Sequence, residues 1–338
     1  MAFERHRWLR TGGILSTGIL LLIAGYPMMG MSGRPLKDKL SFTEDGGDIA
    51  VRLEKHVRVL GGEIGERNLW RPGSLEAAAS YVEREFHDLG FPVEAQEYVV
   101  EGETVRNLEV EIEGVAEPGE IILVGAHYDS APASPGANDN ASGVAALIEI
   151  ARLLAKKPLD RTVRFVAFVN EEPPLFMTDR MGSLQYARRA RQRGDNIVGM
   201  LSLETIGYYR REKGTQSYPT LLLRPFYPSR GNFIAFVGNV SSRSLLRRCL
   251  ASFRRCSDFP SEGLSAPAWV TGVDWSDHWS FWQEGYPAIM VTDTAVFRYP
   301  WYHSSEDTPE KVNYPAMARV TAGLAGMVAD MARRFNAG

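Results

Sequence analysis

Between residues 121 and 139 the chain reads Ile-Ile-Leu-Val-Gly-Ala-His-Tyr-Asp-Ser, then Ala-Pro-Ala-Ser-Pro-Gly-Ala-Asn-Asp. His127 and Asp129 end an apolar run, and on a strand two residues apart they point to one side. Asp139 opens the next helical stretch. One imidazole and two carboxylates gathered at a strand end and a helix start form a donor set suited to a divalent metal. The same residues also suit a polar strand end in which Asp139 caps a helix. Similar groups end later apolar runs. Asn170, Glu171 and Glu172 follow Val-Arg-Phe-Val-Ala-Phe-Val, Glu204 follows Leu-Ser-Leu, and Asp277, His278 and His303 come later. Adjacent glutamates at the mouth of a core repel each other, and a divalent cation removes that cost. Of six histidines, His127, His278, His303 and, less obviously, His87 fall near motif-like sequence.

The elements that must hold these groups alternate between two periods. Four apolar residues in a row, Ile121 to Val124, predict a strand buried on both faces. Further strands are expected at 93–100, 105–112, 162–169, from 197, at 233–240 and at 288–291. Helices are expected at 48–60, 74–89, 141–156, 181–193, 242–255, 276–283 and 314–335. The pattern predicts an α/β fold, a single domain with a central mixed, largely parallel sheet flanked by helices. In open α/β sheets the sites lie at the C-terminal strand ends, where His127 and Asp129 stand. Residues 208–232, rich in Tyr, Pro and Arg, read as a long irregular segment of the kind that carries function.

At 338 residues with 44% hydrophobic content the chain can build a real core. A net charge of -3 gives no reason to expect nucleic acid as a partner. Cys249 and Cys256 share a predicted helix, where seven positions separate them by about 10 Å, too far for a disulfide unless the helix ends early. Arg5, Arg7 and Arg10 precede residues 12–33, which carry no charge. About 20 such residues can span a bilayer, and the basic flank keeps the N-terminus cytoplasmic. Residues 1–35 are therefore expected to be a membrane anchor or a cleaved signal. The domain at 36–338 would then lie outside the cytoplasm, membrane-anchored, secreted or periplasmic.

Taken in order, His127-x-Asp129, Gly-Ala-Asn-Asp139-Asn-Ala-Ser-Gly, Asn170-Glu171-Glu172, Leu-Glu204-Thr-Ile-Gly, Ser276-Asp277-His278 and Tyr302-His303-Ser304 resemble the M28 family of zinc aminopeptidases. The resemblance runs from about residue 52 to the C-terminus. It implies two zinc ions per chain sharing Asp139, one also held by His127 and Glu204, the other by Glu172 and His303. It further implies Glu171 as general base, Asp129 as the partner orienting His127, and a peptide as substrate. Asp277, His278 and Tyr302 are candidate substrate contacts, although a helix cap and packing group is the other reading of Asp277 and His278. Trp275, Trp279, Phe281, Trp282 and Trp301 cluster around them, as pocket lining or as ordinary core.

Two departures stand out. Glu204 occupies a position that is often Asp in the family, and Pro173-Pro174-Leu175-Phe176-Met177 replaces a shorter Gly-rich turn. That insertion and residues 208–232 are expected to shape the substrate pocket. The competing readings are a glutaminyl-cyclase-like enzyme with a single zinc and a non-catalytic, receptor-like member of the fold.

Overall fold

Ile121, Leu123, Ile122, Val124 and Ala126 are all buried, yet they belong to two different cores. Side chains alternate across a strand, so Ile122, Val124 and Ala126 face one layer of helices while Ile121 and Leu123 face another. The computed structural model describes residues 46–333. The expected hydrophobic segment at 1–35 lies outside the described residues. Among them, no helix is long and apolar enough to cross a membrane.

In chain order the elements are α1 (Gly46–Arg58), α2 (Ser74–Asp88), β1 (Glu94–Val100), β2 (Glu103–Ile112), β3 (Glu117–His127), α3 (Ser142–Leu154), β4 (Arg161–Phe168), α4 (Gly182–Arg193), β5 (Asn196–Glu204), β6 (Ile234–Gly238), α5 (Arg243–Cys256), β7 (Ser261–Ser265), α6 (His278–Gln283), β8 (Ala288–Thr292) and α7 (Tyr314–Met331). The eight strands form one sheet in the order β1-β2-β4-β3-β5-β8-β6-β7. β4, β3, β5 and β8 run parallel to one another, while β2 joins β4, and β6 joins β8, antiparallel. The mixed sheet expected from sequence is therefore present. Its parallel centre is where both faces are covered.

The larger core packs α1, α2, α3, α5 and α7 on one face; on the other, α4 and α6 pack through Tyr186, Ala190 and Phe281 against Phe168 and Met200. Each fully buried Leu or Phe stabilises by roughly 1.5–3 kcal/mol. α3 carries apolar residues on nearly every side because it lies between the sheet and the outer helices. Its Glu149 is buried as well, paired with Arg52 at 2.9 Å and Arg152 at 2.9 Å. Both cysteines sit on α5 as free thiols.

Sequence periodicity did not reveal β7. Its residues, Ser-Glu-Gly-Leu-Ser, hold one apolar side chain, because this edge strand turns one face to a cavity instead of a core. Residues 208–232 stay irregular apart from a short turn at Leu221–Leu223. They are pinned by side chains: Arg298 Nε donates to Gln216 Oε1 at 2.8 Å, and Tyr218 Oη donates to the Pro228 carbonyl at 2.6 Å.

Candidate metal centre

β3, β4 and β5 end side by side, and the chain leaving each of them delivers a donor. His127 is the last residue of β3 and Glu204 the last of β5; Glu171 and Glu172 follow β4 within four residues. The loop after β3 returns to supply Asp139 just before α3, and a loop after β8 supplies His303. His127 Nε2 lies 3.2 Å from Glu204 Oε2 and 3.5 Å from Asp139 Oδ1. His303 Nε2 lies 3.1 Å from Asp139 Oδ2 and 3.1 Å from Glu172 Oε2. The donors thus form two triads, His127–Asp139–Glu204 and Asp139–Glu172–His303, each with its ligand atoms within 4.8 Å of one another. Asp139 gives one oxygen to each.

The sequence profile of Peptidase family M28 matches residues 107–328, about two thirds of the chain. The chain belongs to this family. It is 38% identical over 281 residues to "Uncharacterized protein YfbL" of Escherichia coli (strain K12), an alignment covering 81% of this chain and 85% of the other. Its fold is similar to that of BSAP, a zinc aminopeptidase from Bacillus subtilis, with a TM-score of 0.68 at 15% identity, covering 86% of this chain and 96% of that one. A glutaminyl cyclase from Fimbriiglobus ruber also shares the fold, with a TM-score of 0.62 at 23% identity, covering 88% and 99%. The protein is an M28 peptidase, a hydrolase.

In this M28 peptidase, four carboxylates, Asp139, Glu171, Glu172 and Glu204, are buried around His127 and the half-buried His303. Burial, reinforced by Glu204 and Glu172, holds the Glu171 carboxyl well above the usual range against the pull of His127. Burial and then the Asp139 charge push Glu172 up to about 7. The histidines respond in the opposite sense. Burial opposes the charge on His303, but the close contacts with Asp139 and Glu172 outweigh it and push the imidazole up to about 10. His127 is likewise raised, by Glu171 and Glu204 against its own burial. Protons held this way are what cations displace. Glu172 Oε1 is buried without a hydrogen-bond donor, and Asp139 Oδ2 has only the His303 ring nitrogen beside it, without hydrogen-bond geometry, which also fits ions at these positions. Mixed imidazole and carboxylate donors around a shared aspartate suit a pair of zinc ions.

Asp129 does more than sequence spacing suggested. Its Oδ1 lies 3.5 Å from His127 Nδ1, an ion-pair distance longer than a hydrogen bond. Meanwhile both of its oxygens accept backbone N–H groups, from Glu171 at 3.1 Å and Glu172 at 3.1 Å. It therefore fixes the glutamate pair as well as facing the imidazole. Strained backbone surrounds the ligands, with positive φ at Asn170 (60°), Thr205 (41°) and His303 itself (53°).

Several supporting groups were given no role by the sequence, although Asn140 and Ser276 lie within its motifs. Asp307 accepts the N–H groups of Asn138 at 2.8 Å and Asp139 at 3.1 Å, and the Tyr299 hydroxyl at 2.6 Å. Asn140 Oδ1 accepts from Thr205 N at 3.1 Å, and its Nδ2 donates to the Leu203 carbonyl at 2.8 Å, tying the Asp139 loop to the end of β5. The Ser276 hydroxyl donates to Glu204 Oε2 at 2.8 Å. Arg67 is wholly buried and donates to the carbonyls of Tyr128, Leu60, Gly65, Pro135 and Gly136, which clamps the loop between β3 and Asp139. Gly136 has φ +63°, and a Cβ there would lie 2.5 Å from the Asp139 carbonyl oxygen, so the loop requires glycine.

Three expectations change. Asp277 is fully buried, and neither of its carboxylate oxygens accepts a hydrogen bond, so it does not cap α6. His278 is fully buried too, with Nε2 2.8 Å from the Val273 carbonyl and its ring edge-on to Trp282. Neither lines the cavity beside the centre, whereas Tyr302, stacked on His303 at 3.9 Å, does. The insertion at Pro173–Met177 contributes nothing to that cavity, while Gln216, Tyr218, Leu223 and Tyr227 from residues 208–232 line it. Of the aromatic cluster, Trp275 faces the cavity and Phe281 is core. His87 is exposed at the end of α2, away from the site.

Zinc uptake by the metal-free protein should release protons near neutral pH, since His303 and His127 must lose theirs to coordinate. Apparent zinc affinity should fall as the pH is lowered from 8 to 6. Calorimetric titrations in buffers of different ionisation enthalpy measure this, and uptake without net proton release would contradict the ligand assignment.

Proposed function

We propose that this M28 peptidase is an aminopeptidase that removes N-terminal residues from peptides, with two zinc ions at the paired triads and Glu171 as general base. The observation that carries this reading is the doubled donor set built on Asp139, with an unassigned glutamate beside it: Glu171 Oε2 lies 3.8 Å from His127 Nε2. The fold shared with a zinc aminopeptidase supports it.

His127, Asp139 and Glu204 would hold one ion, and Asp139, Glu172 and His303 the other. Zinc bound there supplies Lewis-acid polarisation of the scissile carbonyl and makes a water more acidic. Glu171 takes the proton of the attacking water and delivers it to the leaving amine. Its burial gives it a high proton affinity, and neighbouring cations bring that affinity down into the working range. Asp129 keeps Glu171 and Glu172 apart in direction by holding both backbone N–H groups, so one carboxylate can bind metal while its neighbour stays free. Tyr302 stands between the centre and the adjoining cavity, placed to touch the substrate.

A second enzyme reading, cyclisation of N-terminal glutamine, has a fold neighbour in its favour. A single zinc would leave one triad without a role and set two positive charges against four buried carboxylates. A receptor-like reading leaves the retained Glu171 unexplained. The uncharged run at 12–33 after three arginines supports placing the domain outside the cytoplasm, anchored or released. Protease added to intact cells should reach a C-terminal tag on an anchored chain, or the tag should appear in the periplasm or medium. A tag confined to the cytosol would overturn that placement.

Replacing Glu171 by Gln should lower kcat on aminoacyl substrates by roughly 100- to 10,000-fold while the zinc content stays at the wild-type value. Retention of most activity in Glu171→Gln would rule out its role as the base.

A further inference from the structure

From the metal centre the sheet surface continues sideways as the floor of an adjoining cavity. Glu204 on β5 pairs in register with Thr292 on β8, Thr292 with Ala235 on β6, and Ala235 with Glu262 on β7. Residues paired in this way share one face of the sheet, and all four line the cavity. The neighbouring row repeats the arrangement with Met290, Val237 and Leu264. The floor therefore begins at a metal ligand and ends at a carboxylate three strand spacings away, about 14 Å between backbones. Between those ends the floor carries no charge.

Glu262 is out of keeping with the walls around it. Tyr218, Tyr227 and Phe297 close the cavity over the apolar floor. Glu262 Oε2 is buried and accepts no hydrogen bond. The guanidinium of Arg254 attracts it from α5, but that group donates to the Ser261 hydroxyl at 3.1 Å and the Ser261 carbonyl at 2.7 Å. Burial pushes the Glu262 carboxyl up to about 7 against that attraction. Glu262 offsets part of the charge on the buried Arg254, but its own Oε2 is left without a hydrogen-bond donor. A carboxylate held so poorly solvated gains from any cation brought beside it.

We propose that Glu262 selects a basic residue, lysine or arginine, at the N-terminal position being released. This rests on the aminopeptidase reading and names its substrate class. The aliphatic stem of such a side chain lies along Thr292 and Ala235, and its cationic head meets Glu262 at the far end. A shorter side chain leaves that carboxylate unpaired, and an acidic one is repelled.

The test compares substrates that differ only in the head group. The zinc-loaded full-length protein is assayed on the p-nitroanilides of lysine, arginine, norleucine and glutamate. Norleucine keeps the lysine stem without its ammonium. The ratio of kcat/KM for lysine over norleucine should be about tenfold or more in the wild type. It should drop to about one or below in Glu262→Gln, and in Glu262→Lys the glutamate substrate should overtake lysine. Each ratio is read on one preparation, so a partly unfolded variant does not distort it. Norleucine turned over as well as lysine by the wild type, or a ratio unchanged in Glu262→Gln, overturns the inference and leaves the aminopeptidase reading standing. No turnover of any of the four substrates overturns both.

Discussion

The arrangement of this molecule depends on one costly interaction, the burial of several carboxylates against each other at the C-terminal edge of a parallel sheet. Like charges in a poorly solvated site repel, and each loses hydration on entering it. Protons on Glu171, Glu172, His127 and His303 relieve this cost in the metal-free protein, and each of those four groups has a raised proton affinity. Divalent cations relieve it more completely. Asp139, the residue common to both triads, is the hinge of the design: its proton affinity is lowered, because His303 and His127 together outweigh its burial.

Holding that residue in place takes a second layer of the structure. Asp307 grips the backbone N–H of Asp139 from one side, and Asn140 anchors the next residue to the end of β5 from another. Arg67 fills the space behind the loop, bonding to five carbonyls. Sheet, loop and helix start are thereby locked together, so the spacing between the two triads follows from the backbone. Geometry of this kind is most accurate when its donors leave rigid elements, and three of the five residues in the two triads leave adjacent strands within a few residues.

The donors stood in the sequence among the polar groups that end apolar runs, and the resemblance to the M28 family sorted them into two sets, the same two that the structure brings together. The central sheet was legible because β3 is covered on both faces, and its continuous run of Ile, Leu and Val reports that directly. Asp307 and Arg67 were hidden because their work at the site is done through backbone atoms. Asp307 reaches Asp139 across 168 positions of chain and contacts only N–H groups there, which leaves no residue-type pattern to read. β7 escaped notice because half of it faces the cavity, where Glu262 takes the place an apolar residue would hold in a core strand. Asp277 and His278 were open in the sequence between substrate contact and a cap and packing group, and their full burial fits packing.

Residues 208–232 complete the picture by supplying one side of the cavity, and their lack of regular structure follows from that task. The central claim is that Asp139 is shared between two metal ions. Counting zinc per chain by mass spectrometry after remetallation, in the wild type and in Asp139→Asn, tests it most directly. The account predicts two zinc ions per chain in the wild type and fewer than one in the variant, since both sites lose a charged ligand together. One tightly held zinc in the wild type, or loss of a single ion in Asp139→Asn with the other kept at full occupancy, would contradict it.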